Sequence, residues 1–203
     1  MEQFHHPRSV YAGHGPSTRP TEERRRLLEG LTGTVLEIGA GDGVKFTCYP
    51  DAVTRIVVAE PNPFLLPTVR TVCSDAPAPV DLVTPADLSR LPLPDESVDA
   101  VVCSLVLCTA RRLGRTLAEI GRVLRPGGEL RFYEHVRSAN PLAAMAESLV
   151  TPVWSQACGG CHPARATVIA IEEAGYAVGR VDRFASHGVS HVLGAARKSR
   201  GAS

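Results

Sequence analysis

Aromatic side chains are scarce in this 203-residue chain, at 5% of its residues, and neither sign of charge is in surplus: 22 Lys and Arg stand against 21 Asp and Glu, for a formal net charge of +1. A nucleic-acid face needs a basic excess, and single-strand binding needs aromatic platforms for the bases, so both classes are excluded as expectations. No apolar run approaches the roughly 18 residues that cross a bilayer. The opening MEQFHHPRSVYAGHG also lacks the apolar core of a secretory signal. Six cysteines without such a signal are expected to be reduced thiols in a cytoplasmic protein. What is present, 44% apolar and 21% charged residues, suits one soluble globular domain large enough to bury a core. A monomer is the expected state.

Residues 1–20 are rich in His, Pro, Gly and Ser, show no period, and are expected to form a mobile arm or lid. Thr21-Glu22-Glu23 opens a helix, with a capping hydroxyl and two acids in the positive first turn. Short apolar runs then alternate with helical stretches. Residues 34–38, 55–60, 80–83, 98–107 and 129–136 read as strands, and the nearly unbroken run 98–107 suits a parallel strand buried on both faces. Residues 111–124 carry apolar side chains at 113, 117, 120, 123 and 124, a helical period, and Arg125-Pro126-Gly127-Gly128 ends that helix. An insertion at about 137–163 precedes a helix at 164–174 and two last strands at 176–184 and 190–197. The alternation predicts an α/β, doubly wound sheet in a single domain over 21–203, with a small cap inserted after strand five.

Glu37-Ile38-Gly39-Ala40-Gly41-Asp42-Gly43 leaves the first strand at its carboxyl end, where open α/β sheets bind ligands. Glycines there let backbone approach a ligand closely. A dinucleotide fold asks for G-x-G-x-x-G; here residue 44 is Val and the third glycine comes one place early. Glu37 suits a cationic ligand better than a pyrophosphate. Glu60 follows Gly39 by 21 residues, at the end of the second strand, where a carboxylate can accept both hydroxyls of a ribose. Asp87 follows the third strand. The loop and the three acids, in that order, point to a nucleoside-bearing ligand with a positive charge.

With VLEIGAGDG, VVAEPNP, LPLPDESVDAVVCSLVLCTA and LRPGGELRFYEH, the chain resembles the class I S-adenosylmethionine-dependent methyltransferases over about residues 21–197. The resemblance implies a Rossmann-like seven-stranded sheet with its last strand antiparallel, and S-adenosyl-L-methionine as cofactor. It implies that Gly39, Ala40 and Gly41 flank the methionine moiety beside Glu37. Glu60, with Pro61 and Asn62, would bind the ribose; Asp87 and Leu88 would meet the adenine, and Cys103 and Ser104 would lie under the sulfonium. VVCSLVLCTA, FYEHV, TPVW and GGCHPARAT are further similar to microsomal alkyl-thiol methyltransferases and their soluble bacterial relatives, some of which S-methylate reduced dithiolopyrrolones. That likeness implies a small-molecule thiol as acceptor. The microsomal proteins begin with a hydrophobic anchor that this N-terminus does not show, so a membrane location is not expected to carry over.

Cys158-Gly159-Gly160-Cys161-His162 matches a c-type haem signature and a redox C-x-x-C. Within the insertion, away from a strand-to-helix start, neither reading is expected to hold, and cap packing is. No second ligand pair is spaced for zinc, so no metal is expected. Cys108, His135, Trp154 and Cys161 are candidate acceptor-pocket residues, and His135, beside Glu134, is the candidate general base or orienter. His5, His6 and His14 in the arm, and His187 and His191 at a turn, are weaker candidates. A thiol with a pKa of about 8.5 is partly ionised at neutral pH, so alignment and exclusion of water can suffice without a dedicated base. The competing expectations are an O-, N- or C-methyltransferase on a small lipid or quinone, and a cofactor-binding partner protein without catalysis.

Overall fold

The structure, a computed structural model, describes residues 19–85, 87–157, 160–186 and 188–198, without the side chains of Ala143, Ala146, Val150, Trp154 and Ala157. Nearly all of the expected arm, together with Cys158 and His187, therefore lies outside the described residues. Helix α1 (Glu22–Leu28) starts where the Thr21 hydroxyl accepts the Arg24 amide, and it buries Leu27 and Leu28. It leads into β1 (Gly33–Ile38), β2 (Val53–Ala59), α2 (Leu66–Val72), β3 (Val80–Val83) and β4 (Val98–Ser104). Then follow α3 (Leu113–Val123), β5 (Leu124–His135), α4 (Pro141–Ala157), α5 (Thr167–Glu173), β6 (Tyr176–Ser186) and β7 (Val189–Lys198).

The strands form one seven-stranded sheet in the order β3-β2-β1-β4-β5-β7-β6. Strands β1 to β5 pair in parallel, and β7 runs antiparallel to both neighbours, β5 and β6. Chain order reverses across the β1–β4 pair, so the crevice at the carboxyl ends of those two strands is where such a sheet takes its ligand. The period-two alternation of buried strands fills both faces. Leu36, Ile38, Val101, Cys103 and Phe132 pack with Leu117 and Ile120 of α3 and Ile171 of α5. Val35, Ile56, Val58 and Val102 pack on the other face with Leu27 and Leu28 of α1 and Val69 of α2.

Three elements depart from the sequence expectation. Strand β4 stops at Ser104, although the apolar run continues to Leu107. Leu105 takes the left-handed conformation (φ 60°) and turns Val106 and Leu107 back into the core, where their burial matches that of a strand. Arg125-Pro126-Gly127-Gly128 does not merely end α3; it lies within β5, at a register shift against β4. The insertion holds a 17-residue helix, α4, carrying Pro152 and exposing Leu142, Met145, Leu149 and Val153. No helix among the described residues is long and apolar enough to cross a membrane.

One charged cluster holds the loop before β4 in place. Arg122 of α3 donates to the carbonyls of Leu91 and Leu93 (3.1 and 2.9 Å), to Asp95 (2.6 Å) and to both oxygens of Glu119 (2.7 and 2.9 Å). Glu119 in turn accepts the Leu91 amide at 2.7 Å.

Candidate active site

The glycine loop is built from backbone conformations that side chains resist. Gly39, Gly41 and Gly43 all have positive φ, at 69°, 64° and 69°. A Cβ on Gly39 would stand 2.7 Å from Val106, and one on Gly43 would stand 2.1 Å from Val72 and 3.1 Å from the Phe46 ring. The third glycine thus comes early because the loop closes on Phe46 and α2, not on a long phosphate-binding helix. Among the described residues a Cβ on Gly41 would meet nothing within 4 Å, so none of them fills the space beside it.

Glu60 anchors this loop. Its carboxylate accepts the Asn62 amide at 2.8 Å and, more weakly, the Gly41 amide at 3.3 Å. Burial pushes its pKa up, against those two amides, which favour the charge. Lone pairs remain on both oxygens for a further donor. Asn62 is buried and accepts the Phe64 amide at 3.0 Å, shaping the turn after β2 beside Pro61. Asp87 makes the same kind of turn, accepting the Ser89 amide at 2.7 Å.

The remaining cofactor candidates divide by exposure. Ala40 is buried within the loop, and Ser104 stands half-buried at the end of β4. Leu88 and Cys103 are fully enclosed in the apolar core, so they support Asp87 and Ser104 and offer no surface of their own. Glu37 is likewise closed off. Its oxygens meet Lys45 Nζ at 2.8 Å and the Tyr49 hydroxyl at 2.6 Å, all three side chains being buried. A carboxylate at that depth needs such partners, and they replace the cationic ligand expected for it. Burial, and then the Glu37 charge, push the Tyr49 hydroxyl well up, so Tyr49 stays the donor.

The carboxyl ends of β4 and β5 bring together three of the four acceptor candidates. Cys108 Sγ lies 3.7 Å from Cys161 Sγ, and His135 Nδ1 lies 3.2 Å from Cys161 Sγ and 3.8 Å from Cys108 Sγ. Trp154 is on α4, but its side chain is outside those described. His135 also packs edge-on against His191, which stacks on Tyr133 and Phe184. Burial, then the neighbouring His135 charge, lower the His191 pKa, which leaves that ring neutral at neutral pH.

Glu134, Lys45 and Arg165 act here although sequence reasoning assigned them no role. Fully buried, Glu134 accepts the amides of Val106, Leu107 and Cys108 at 3.0, 2.9 and 3.0 Å, and so sets the loop after β4. Burial pushes its pKa up, against the three amides. Arg165 donates to the carbonyls of Leu107 and Ala110 at 2.7 and 2.6 Å. His162, next to Cys161, gives its amide to the Cys108 carbonyl at 3.0 Å. The signal for Glu134 was a carboxylate at an otherwise apolar strand end, which has to find partners. The hydrogen bond with Cys161 and then burial push the Cys108 thiol well up. The five described cysteines are thiols, and none is in a disulfide.

A mainly parallel sheet with one antiparallel strand, a glycine loop at its switch point and a buried acid at the next strand end mark an α/β protein built to bind a nucleoside-bearing ligand. Residues 36–132 match the family described as Methyltransferase domain. The N-methyltransferase NodS from Bradyrhizobium japonicum WM9, solved with S-adenosyl-L-homocysteine, shares the fold at a TM-score of 0.65 and 16% identity, over 87% of this chain and 84% of that one. Sequence relatives are nearer. Thiol S-methyltransferase TMT1B of Homo sapiens is 34% identical over 182 residues, 82% of this chain and 73% of that protein. Thiol S-methyltransferase TMT1A of Homo sapiens is 33% identical over 146 residues, and this chain spans only 59% of its length. The chain belongs to the class I S-adenosylmethionine-dependent methyltransferases, close to the thiol S-methyltransferases. It is an enzyme, and S-adenosylmethionine is its cofactor; the space at Gly41 that no described residue fills, beside the buried Glu60 carboxylate, fits that cofactor's hydroxyl-bearing nucleoside.

Proposed function

We propose that the chain methylates the sulfur of a small-molecule thiol. S-adenosylmethionine supplies the methyl group as a sulfonium substituent, and the protein aligns the acceptor with it and keeps water away. Glu60, with the Pro61-Asn62 turn, takes the ribose hydroxyls; the Gly39–Gly41 loop lies along the methionine moiety, and Asp87 and Ser104 border the nucleoside and the sulfonium. Cys108, His135 and Cys161 form the acceptor end, and Trp154 on α4 is the fourth acceptor-pocket residue.

The observation that carries this reading is the chemistry of the acceptor end. It holds two thiols and an imidazole, and the carboxylate at that strand end, Glu134, is occupied by three backbone amides. His135 Nδ1 is turned to Cys161. Among the described residues this leaves no carboxylate–imidazole pair to take a proton from an alcohol or phenol, a step commonly worth about 10²–10⁴ in rate. A thiol needs that help least. Two relatives that are thiol S-methyltransferases by name support the same acceptor class. None of the relatives named above acts by its name on a dithiolopyrrolone, so the acceptor is taken no further than a small thiol.

Radiolabelled methyl transfer to a thiol, a phenol and an amine of matched shape tests the proposal. The thiol is expected to react about 100-fold or more faster than the others. Equal transfer to the phenol or amine overturns the assignment, and binding of S-adenosylmethionine without transfer to any acceptor overturns catalysis itself.

A further inference from the structure

The cluster at the acceptor end has a geometry that thiol packing alone does not require. Its three donor atoms form a triangle with edges of 3.7 Å between the two sulfurs, and 3.8 and 3.2 Å from each sulfur to His135 Nδ1. Around a tetrahedral zinc ion, with Zn–S near 2.3 Å and Zn–N near 2.0–2.1 Å, sulfurs stand about 3.8 Å apart and sulfur and nitrogen about 3.5 Å apart. A disulfide would need the sulfurs at about 2.05 Å.

Two of the three ligands, Cys108 and Cys161, arrive on a braced backbone. Glu134 grips the amides leading into Cys108, Arg165 holds the carbonyls of Leu107 and Ala110, and the His162 amide ties the Cys161 segment to the Cys108 carbonyl. Such outer contacts orient metal ligands in known sites. The ligands come from the loop after β4, the end of β5 and the segment after α4, so no local spacing could display them.

We propose that Cys108, His135 and Cys161 form a mononuclear site for a zinc-class divalent ion, its fourth position open to the acceptor sulfur. The proposal rests on the thiol-transfer reading and gives it a mechanism. Two thiolates and a neutral imidazole match a dication in charge, and soft sulfur ligands favour zinc over magnesium or calcium. Three protein ligands with a vacant fourth position is the arrangement of catalytic, not structural, zinc. On binding, the acceptor R–SH releases its proton to solvent. A lone pair of the thiolate forms the new S–CH3 bond as the methyl–sulfonium bond breaks. The electrons of that bond return to the departing sulfur, leaving a thioether and neutral S-adenosylhomocysteine. No oxidant or reductant is consumed.

Cobalt(II) titration of the full chain, stripped with chelator and kept reduced with a phosphine, is the test. One equivalent should bind, with an intense thiolate-to-cobalt charge-transfer band and the strong visible bands of a four-coordinate centre, and zinc should displace it. Adding 2-mercaptoethanol should shift the visible bands. Cys108→Ser and Cys161→Ser should each lose most of the charge-transfer intensity, whereas Cys73→Ser, at the end of α2, should keep it. Wild-type protein that takes up no cobalt, or spectra unchanged in both serine variants, overturns the site; the first result involves no variant and so cannot be excused by misfolding. Metal-free protein that methylates 2-mercaptoethanol as fast as zinc-loaded protein overturns the metal proposal and leaves thiol transfer standing. Cobalt binding at these residues in a protein that methylates no thiol supports the metal site and overturns the transfer reading.

Discussion

The two halves of the site differ in how they are made. The proposed cofactor half, at the ends of β1 and β2, comes mainly from two short segments, Gly39 to Gly43 and Glu60 to Asn62, whose polar groups are oxygen and nitrogen, with the enclosed Glu37–Lys45–Tyr49 cluster at the end of β1. The proposed acceptor half is assembled from Cys108, His135 and Cys161, successively 27 and 26 residues apart in sequence and 53 from first to last, and its chemistry is sulfur and imidazole. Contiguous segments suit a cofactor common to a whole class of enzymes, whereas an acceptor site drawn from separate strand ends and a cap can change its chemistry without disturbing the loop beside it.

Removing the brace of the acceptor half should have the largest effect. Glu134→Ala orphans three buried amides, each costing about 1–3 kcal/mol, so a loss of roughly 3–9 kcal/mol is expected in urea denaturation. The milder Glu134→Gln keeps one acceptor oxygen. It should still bind S-adenosylmethionine but lose most transfer; equal loss of both would erase the distinction between the halves. On the cofactor side, Lys45→Met leaves Glu37 buried without its cation and should cost about 3–5 kcal/mol. Replacing both residues with apolar ones should recover much of that, as a double-mutant cycle would read.

Smaller effects sharpen the same contrast. Glu60→Ala should weaken S-adenosylmethionine binding by roughly 1.5–3 kcal/mol, the range for a hydrogen bond to a charged group; an unchanged dissociation constant by calorimetry removes Glu60 from the cofactor half. The Arg122 cluster belongs to neither half and should show only in acid. Hydrogen bonding from Arg122 outweighs burial and holds the Glu119 carboxyl below the usual glutamate range. With its folded pKa depressed, Glu119 stabilises the fold above the unfolded value of about 4.3, and that contribution fades as pH falls through the folded pKa. Between about pH 6 and 3 the urea midpoint of the wild type should therefore fall further than that of Glu119→Gln. Parallel slopes would show that the cluster does not stabilise the loop before β4.

The contrast also decides what could be read before the structure. The glycine loop, Glu60 and the strand–helix alternation were legible because period and spacing are local properties. Val106 and Leu107 were not, since a buried turn needs the same apolar residues as a buried strand, and only the left-handed Leu105 separates them. Glu37 was visible as an acid at the right place, but its partners, Lys45 and Tyr49, meet it only once the loop folds back over β1. The acceptor candidates were picked singly, and their convergence on one point is a tertiary fact that no spacing carries. Helix α4 was hidden by Pro152, which sits inside it.

A single acceptor that carries both nucleophiles tests the central claim most directly. With 2-mercaptoethanol and methyl-labelled S-adenosylmethionine, sulfur and oxygen compete at the same site in one molecule, and product NMR counts the two outcomes. The account predicts S-methyl product, with O-methyl product at or below about one part in a hundred, because among the described residues the acceptor end offers no carboxylate–imidazole pair to ionise the hydroxyl. Comparable amounts of the two ethers would contradict it.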